Sequence, residues 1–129
     1  MEYCDGKSLD LLINKRIHSG KWFNFFEFLK IFKDIVNGYY PLNKVMIMHE
    51  DLKPENIFIK GKNFKIGDFG LSFLMKSEKG FTRGGTTSYN GIEKYQMPPV
   101  NPSHKSDMYS IGVILHHLFF GFHPYYEKR

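Results

Sequence analysis

The stretch His49-Glu50-Asp51-Leu52-Lys53-Pro54-Glu55-Asn56, with the hairpin-like run Ile57 onward and Gly67-Asp68-Phe69-Gly70 after it, decides how this 129-residue chain is read. Ile57-Phe58-Ile59 and Phe64-Lys65-Ile66 flank Lys60-Gly61-Lys62-Asn63, the pattern of two strands joined by a turn. A hairpin returns the chain to its starting point. Asp51, Lys53 and Asn56, which precede it, are therefore expected to converge on Asp68, which follows it. Two carboxylates, an amide oxygen and an ammonium suit Mg²⁺ plus phosphate. Mg²⁺ takes oxygen ligands and is usually held between one or two carboxylates and the phosphates of a substrate.

Outward from this loop, the segment before it has the clearest helical period. Trp22, Phe25, Phe28, Leu29, Phe32, Ile35, Val36 and Tyr39 form an apolar stripe, and Lys21, Asn24, Glu27, Lys30, Asp34 and Asn37 a polar one. Pro41 cannot supply a backbone donor and is expected to end the helix. A shorter helix is expected from about Ser8 to Arg16, capped by Ser8 and broken by His18-Ser19-Gly20. Beyond the hairpin, residues 70–91 are rich in Gly, Ser and Thr and read as a loop, and the prolines of 98–103 mark a linker. Ser106 is expected to cap a last helix, Asp107 to about Phe120. That helix is apolar on nearly every face and so should be buried all round. Helices, a small hairpin, a long loop and a buried helix make a mainly helical α+β unit.

Composition narrows the function classes. Hydrophobic residues make up 42% and charged residues 24%, a globular balance. The net charge of +5 is spread along the chain without a basic block, so no nucleic-acid partner is expected. Cys4 is the only cysteine, which excludes an intrachain disulfide and a cysteine-built metal site. The uncharged run 108–126 is interrupted by His116, His117, His123 and Pro124, so no membrane partner is expected. An intracellular protein follows. A metal or hydrolase site on His116 and His117 is disfavoured, because adjacent helical residues do not face the same way.

At these residues the chain resembles the eukaryotic-type serine/threonine protein kinases, specifically their large, C-terminal lobe, truncated at both ends. Asp51-Leu52-Lys53-Pro54-Glu55-Asn56 is similar to the catalytic loop and Asp68-Phe69-Gly70 to the metal-binding triplet. Gly85-Thr86-Thr87-Ser88-Tyr89-Asn90-Gly91-Ile92-Glu93 resembles the end of the activation segment. The run from Ser106 to Gly112 resembles the start of a buried central helix, and Gly121-Phe122-His123-Pro124-Tyr125 the turn after it. The resemblance divides residues 1–129 into a hinge (1–6), catalytic loop (49–56), activation segment (68–93) and central helix (106–120). It implies a kinase-like fold and transfer of the γ-phosphate of ATP, with Mg²⁺, to protein Ser/Thr hydroxyls. It implies that Asp51 takes or orients the hydroxyl proton, Lys53 sits by the γ-phosphate, Asn56 and Asp68 hold Mg²⁺, and Thr86 braces Asp51 and Lys53. Asp107 would anchor the catalytic-loop backbone. The Glu2 carbonyl and Cys4 amide would bind adenine, Ser8 the ribose, and Leu9, Ile57, Ile59, Ile114 and Leu118 would form an apolar column below the adenine or simply core.

The departures from the family matter as much. Its glycine-rich phosphate loop, clamping lysine and partner glutamate lie ahead of the hinge, and no Gly-x-Gly occurs in these residues. A longer frame with Met1 internal is expected to supply that lobe, and residues 1–129 alone are expected to be inactive or nearly so. A non-catalytic kinase remnant or binding module is the other reading. Glu50 stands where the family has an arginine that grips a phosphothreonine. Either Glu50 pairs with Lys76, Lys79 or Arg83 and fixes the loop without phosphorylation, or it is an exposed neutral substitution.

Overall fold

The computed structural model describes residues 7–69, 73–74, 87–91 and 103–125. The elements are α1 (Leu9–Ser19), α2 (Phe25–Lys44), β1 (Ile47–Met48), a 3₁₀ turn (Pro54–Asn56), β2 (Ile57–Lys60), β3 (Asn63–Ile66), β4 (Phe73–Leu74), a second 3₁₀ turn (Thr87–Tyr89) and α3 (His104–Phe120). The mainly helical α+β reading holds.

α1 runs three residues past the expected Arg16. It ends where Gly20 adopts the left-handed conformation (φ 64°) that suits glycine as a helix cap. Ser8 occupies the N-cap position, but its hydroxyl donates to the Asp10 carboxylate and does not cap a backbone amide. α2 departs further from expectation. Trp22 lies before it, and Asn24 is its cap: the Asn24 side chain accepts from the Glu27 amide at 3.0 Å while Glu27 accepts from the Asn24 amide at 2.9 Å. Pro41 lies inside the helix, which continues to Lys44. In the last turn one lost donor is tolerable, and the Pro41 carbonyl still accepts from the Val45 amide at 3.3 Å.

The buried face of α2 is also rotated from the expected stripe. Ile31, Ile35 and Tyr39 are buried, whereas Phe25, Leu29, Phe32 and Val36 are exposed. Two residues of the expected solvent face hold the hairpin instead. Asp34 accepts the Phe64 amide at 2.8 Å, and Lys30 donates to the Asn63 side chain at 2.9 Å.

β2 and β3 form the expected antiparallel hairpin, with Ile57 opposite Ile66 and Lys60 opposite Asn63. Residues 7–8 extend it on the other edge: the Ile59 amide donates to the Lys7 carbonyl at 2.8 Å, and Ser8 bridges Phe58. β1 pairs with β4, Met48 opposite Phe73. α3 starts at His104, capped by Ser103 rather than Ser106, which is buried within the first turns. Its Ile111, Val113, Ile114 and Leu118 join Leu9, Ile13, Ile31, Ile35, Leu52 and Ile57 in one core. The helix is not buried all round, since Phe119 is 51% and Phe120 56% exposed. Trp22 ties the α1–α2 connection to its end, donating from Nε1 to the Leu118 carbonyl at 2.8 Å. Among the described residues no helix is long and apolar enough to cross a membrane.

Candidate active site

The loop between β1 and the 3₁₀ turn makes no regular structure, so its backbone donors must be satisfied from elsewhere. Asp107, in the first turn of α3, satisfies two of them. Its Oδ2 accepts the His49 amide at 2.7 Å and its Oδ1 the Glu50 amide at 2.9 Å. Tyr39 of α2 donates its hydroxyl to the same Oδ2 at 3.0 Å. The carboxylate is 1% exposed and sits at a helix N-terminus, where the helix dipole favours negative charge. Three donors and the dipole together offset the cost of burying it.

His49 is fully buried and joins the loop to the hairpin. Its Nδ1 accepts the Asp51 amide at 3.4 Å, which leaves the proton on Nε2 to be donated to the Gly67 carbonyl at 2.8 Å. Phe69 packs on the same ring, centroids 5.0 Å apart. Glu50 has φ 68°, a left-handed conformation unfavourable for a residue with a long side chain. The grip of Asp107 on its amide holds it there. Glu50 is only 8% exposed, so the exposed-substitution reading is overturned. Its expected partners Lys76, Lys79 and Arg83 lie outside the described residues.

The hairpin ends meet as expected. The Gly67 amide donates to the Asn56 carbonyl at 2.9 Å, so Asp68 emerges directly beside Asn56, with its backbone at φ 55°. Gly67 has no room for a side chain: a Cβ there would lie 2.7 Å from the Phe58 ring. Asp51, Lys53 and Asn56 converge on one oxygen. Asp51 Oδ2 takes an ion pair from Lys53 Nζ at 3.0 Å and a hydrogen bond from Asn56 Nδ2 at 3.1 Å. Asn56 Nδ2 also donates to the Asp51 carbonyl at 2.8 Å. Both partners of that nitrogen are acceptors, which fixes the amide orientation and turns Oδ1 away from Asp51. An amide oxygen and the Asp68 carboxylate are the hard oxygen donors Mg²⁺ takes. Among the described residues no group of three or more His, Cys, Asp or Glu could hold a metal by itself. As oxygen donors, Asn56 and Asp68 fit a cation that completes its shell with phosphate oxygens.

Ser8 is buried, with its hydroxyl engaged by Asp10, and Leu9 and Ile57 are fully buried beside it. Ile114 and Leu118 of the expected column are core residues, and Ile59 is half-buried. Glu2, Cys4 and Thr86 lie outside the described residues. Two participants escaped the sequence reading. Tyr39 counted only as an apolar residue of a helical stripe, and His104 fell between the 98–103 linker and the expected cap Ser106 with no role assigned. Neither carries a local signal, because both act across long sequence separations. His117 lies against His123 and stacks on Trp22, ring centroids 6.2 and 6.4 Å away, and among the described residues neither it nor His116 belongs to a group of three or more metal-ligating side chains.

An anchored loop thus carries Asp51, Lys53 and Asn56 on one side of a hairpin, with Asp68 on the other. The family model described as "Protein kinase domain" matches residues 1–129, and the chain belongs to the protein kinase family. It is 37% identical over 129 residues to the serine/threonine-protein kinase Nek3 of Mus musculus, covering 97% of this chain and 24% of that protein. It is 36% identical over 132 residues to a probable cell cycle serine/threonine-protein kinase, the CDC5 homolog of Encephalitozoon cuniculi, covering 100% of this chain and 27% of that protein. The chain thus spans about a quarter of the length of these curated relatives. Its fold matches a chain of the yeast RNA Pol II CTD kinase CTDK-1 complex with a TM-score of 0.82, at 28% identity, over 99% of this chain and 41% of that one.

Proposed function

We propose that the chain is the catalytic, large-lobe part of a protein serine/threonine kinase, with hinge 1–6, catalytic loop 49–56, activation segment 68–93 and central helix 106–120. It works intracellularly on protein substrates, with the ATP-clasping lobe supplied by a longer chain. The observation that carries this reading is the convergence of Lys53 and Asn56 on Asp51 Oδ2 beside the hairpin base from which Asp68 emerges.

In this reading Asp51 orients a Ser or Thr hydroxyl of the substrate and takes its proton. The hydroxyl oxygen bonds to the γ-phosphorus as the bond to the departing diphosphate oxygen breaks. Lys53 holds Asp51 in place and presents positive charge to the γ-phosphate. Asn56 Oδ1 and Asp68 would hold Mg²⁺, which would supply positive charge to neutralise the phosphates. Thr86 braces Asp51 and Lys53, and the Glu2 carbonyl and Cys4 amide receive the adenine. Leu9 and Ile57 underlie it. Ser8 reaches the ribose only by releasing Asp10.

The test uses the full-length protein, MgATP and a general protein substrate, with Asp51→Asn as the control. Losing a positioned base lowers a rate by about 10²–10⁴-fold, so phosphate incorporation should fall by that much. Incorporation that survives Asp51→Asn cannot come from this site and would overturn the proposal. Residues 1–129 alone should show little activity, since each missing preorganised donor costs on the order of 10²–10³ in rate.

A further inference from the structure

The hydroxyl of Tyr39 has two polar neighbours on α3. It lies 3.0 Å from Asp107 Oδ2, to which it donates, and 2.9 Å from His104 Nδ1. A phenol has one proton. With that proton given to Asp107, the hydroxyl oxygen accepts from His104, which places a hydrogen on Nδ1. His104 Nε2 is buried and has no hydrogen-bond partner among the described residues. A bare ring nitrogen is the form that best tolerates such a position, since an unpaired N–H there would be a stranded donor. The proton order is then fixed from end to end: His104 Nδ1–H to Tyr39, Tyr39 O–H to Asp107, and Asp107 to the His49 and Glu50 amides. The Tyr39 and His104 rings also meet edge to face, centroids 6.2 Å apart.

We propose that Tyr39 is a positioning residue for the catalytic loop, with His104 orienting its hydroxyl, so that α2 and the start of α3 jointly set the Asp107 carboxylate that holds residues 49 and 50. The proposal rests on the kinase reading only for its effect on rate; its structural part stands by itself. The need for an extra donor follows from the charges. Asp107 and Glu50 are both buried and both act on the Tyr39 hydroxyl, and a buried carboxylate such as Asp107 favours any neutral donor placed between loop and helix. Burial and the same two charges push the Tyr39 hydroxyl far above the ordinary tyrosine range, so it remains a donor throughout physiological pH.

Amide hydrogen exchange on the full-length protein tests this without requiring activity. Tyr39→Phe removes one oxygen and keeps the packing. Exchange at the His49 and Glu50 amides should rise by about tenfold, the effect of losing one charge-assisted hydrogen bond, while the 57–66 hairpin stays protected. His104→Leu should act in the same direction. His104→Asn keeps an N–H near the position of Nδ1 and should restore protection. In the kinase assay Tyr39→Phe should lower kcat with KM for ATP little changed. Unchanged exchange at 49–50, or an equal rise across the hairpin, overturns the proposal. If the unmodified protein transfers no phosphate, the kinase reading fails while the exchange result still decides the role of Tyr39.

Discussion

At the scale of single residues, the site depends on places where one atom more or less is felt. Gly67 is the sharpest. Its carbonyl accepts from His49 and its amide donates to Asn56, so this backbone cannot shift, and the Phe58 ring fills the space a Cβ would need. Gly67→Ala should destabilise the protein by about 1–3 kcal/mol, the usual cost of overpacking. Urea unfolding checks this, and Phe58→Leu in the same chain should recover part of the loss. Asp107 is the other such residue. It joins Tyr39 to the His49 and Glu50 amides; the resemblance implies its hold on the loop backbone, but nothing near it in sequence announces the contact with Tyr39.

At the scale of elements, α2 is the organiser. Its capping box fixes where it starts, its Ile31–Ile35–Tyr39 face enters the core, and Asp34 holds the edge of β3. Arg16 of α1 pairs with Glu27 of the same box, linking the two helices. The hydrogen bond from the Asn24 amide holds the Glu27 carboxyl below its ordinary range, with Arg16 adding to the effect. Asn24→Ala should cost about 1 kcal/mol, the common value for an N-cap. Thermal unfolding followed at α2 should show the loss, and Asn24→Asp should restore most of it. A fall much smaller than this would mean that tertiary packing alone sets the start of the helix.

At the scale of the whole molecule, the end of α3 and the turn after it carry His116, His117 and His123. Burial pushes the His117 imidazole below its ordinary value, and the charges of His123 and His116 add to it; burial also lowers His123. A depressed folded-state value means the neutral ring favours the fold. The contribution is present above the ordinary histidine value of about 6.5 and is lost as pH falls through the lower folded-state values. The melting temperature should therefore drop between pH 7.5 and 5.5, a window above the ordinary carboxylate range. His117→Gln should flatten that drop. An unaltered slope would place the sensitivity elsewhere.

Much of this protein was legible in its sequence, and the reason is local. The turn at Gly61-Lys62 and the short apolar runs on either side of it dictate a hairpin, and a hairpin must bring its ends together; Asn56 and Asp68 thus had to be neighbours. The Asp-x-Lys-x-x-Asn spacing likewise needs only one short loop to gather its side chains. What tertiary structure alone decided lies across long separations. The face of α2 that is buried depends on where the hairpin docks, so Asp34 turned inward and Phe32 outward. Pro41 could remain in the helix because it fell in the last turn. Ser103 rather than Ser106 became the cap of α3, because Ser106 is buried inside the helix and Asp107, beside it, bonds to the His49 and Glu50 amides. The donors that position Asp107 come from residues 39, 49 and 50, brought together only by packing, and a hydrogen bond between residues so far apart leaves no periodic trace in the sequence.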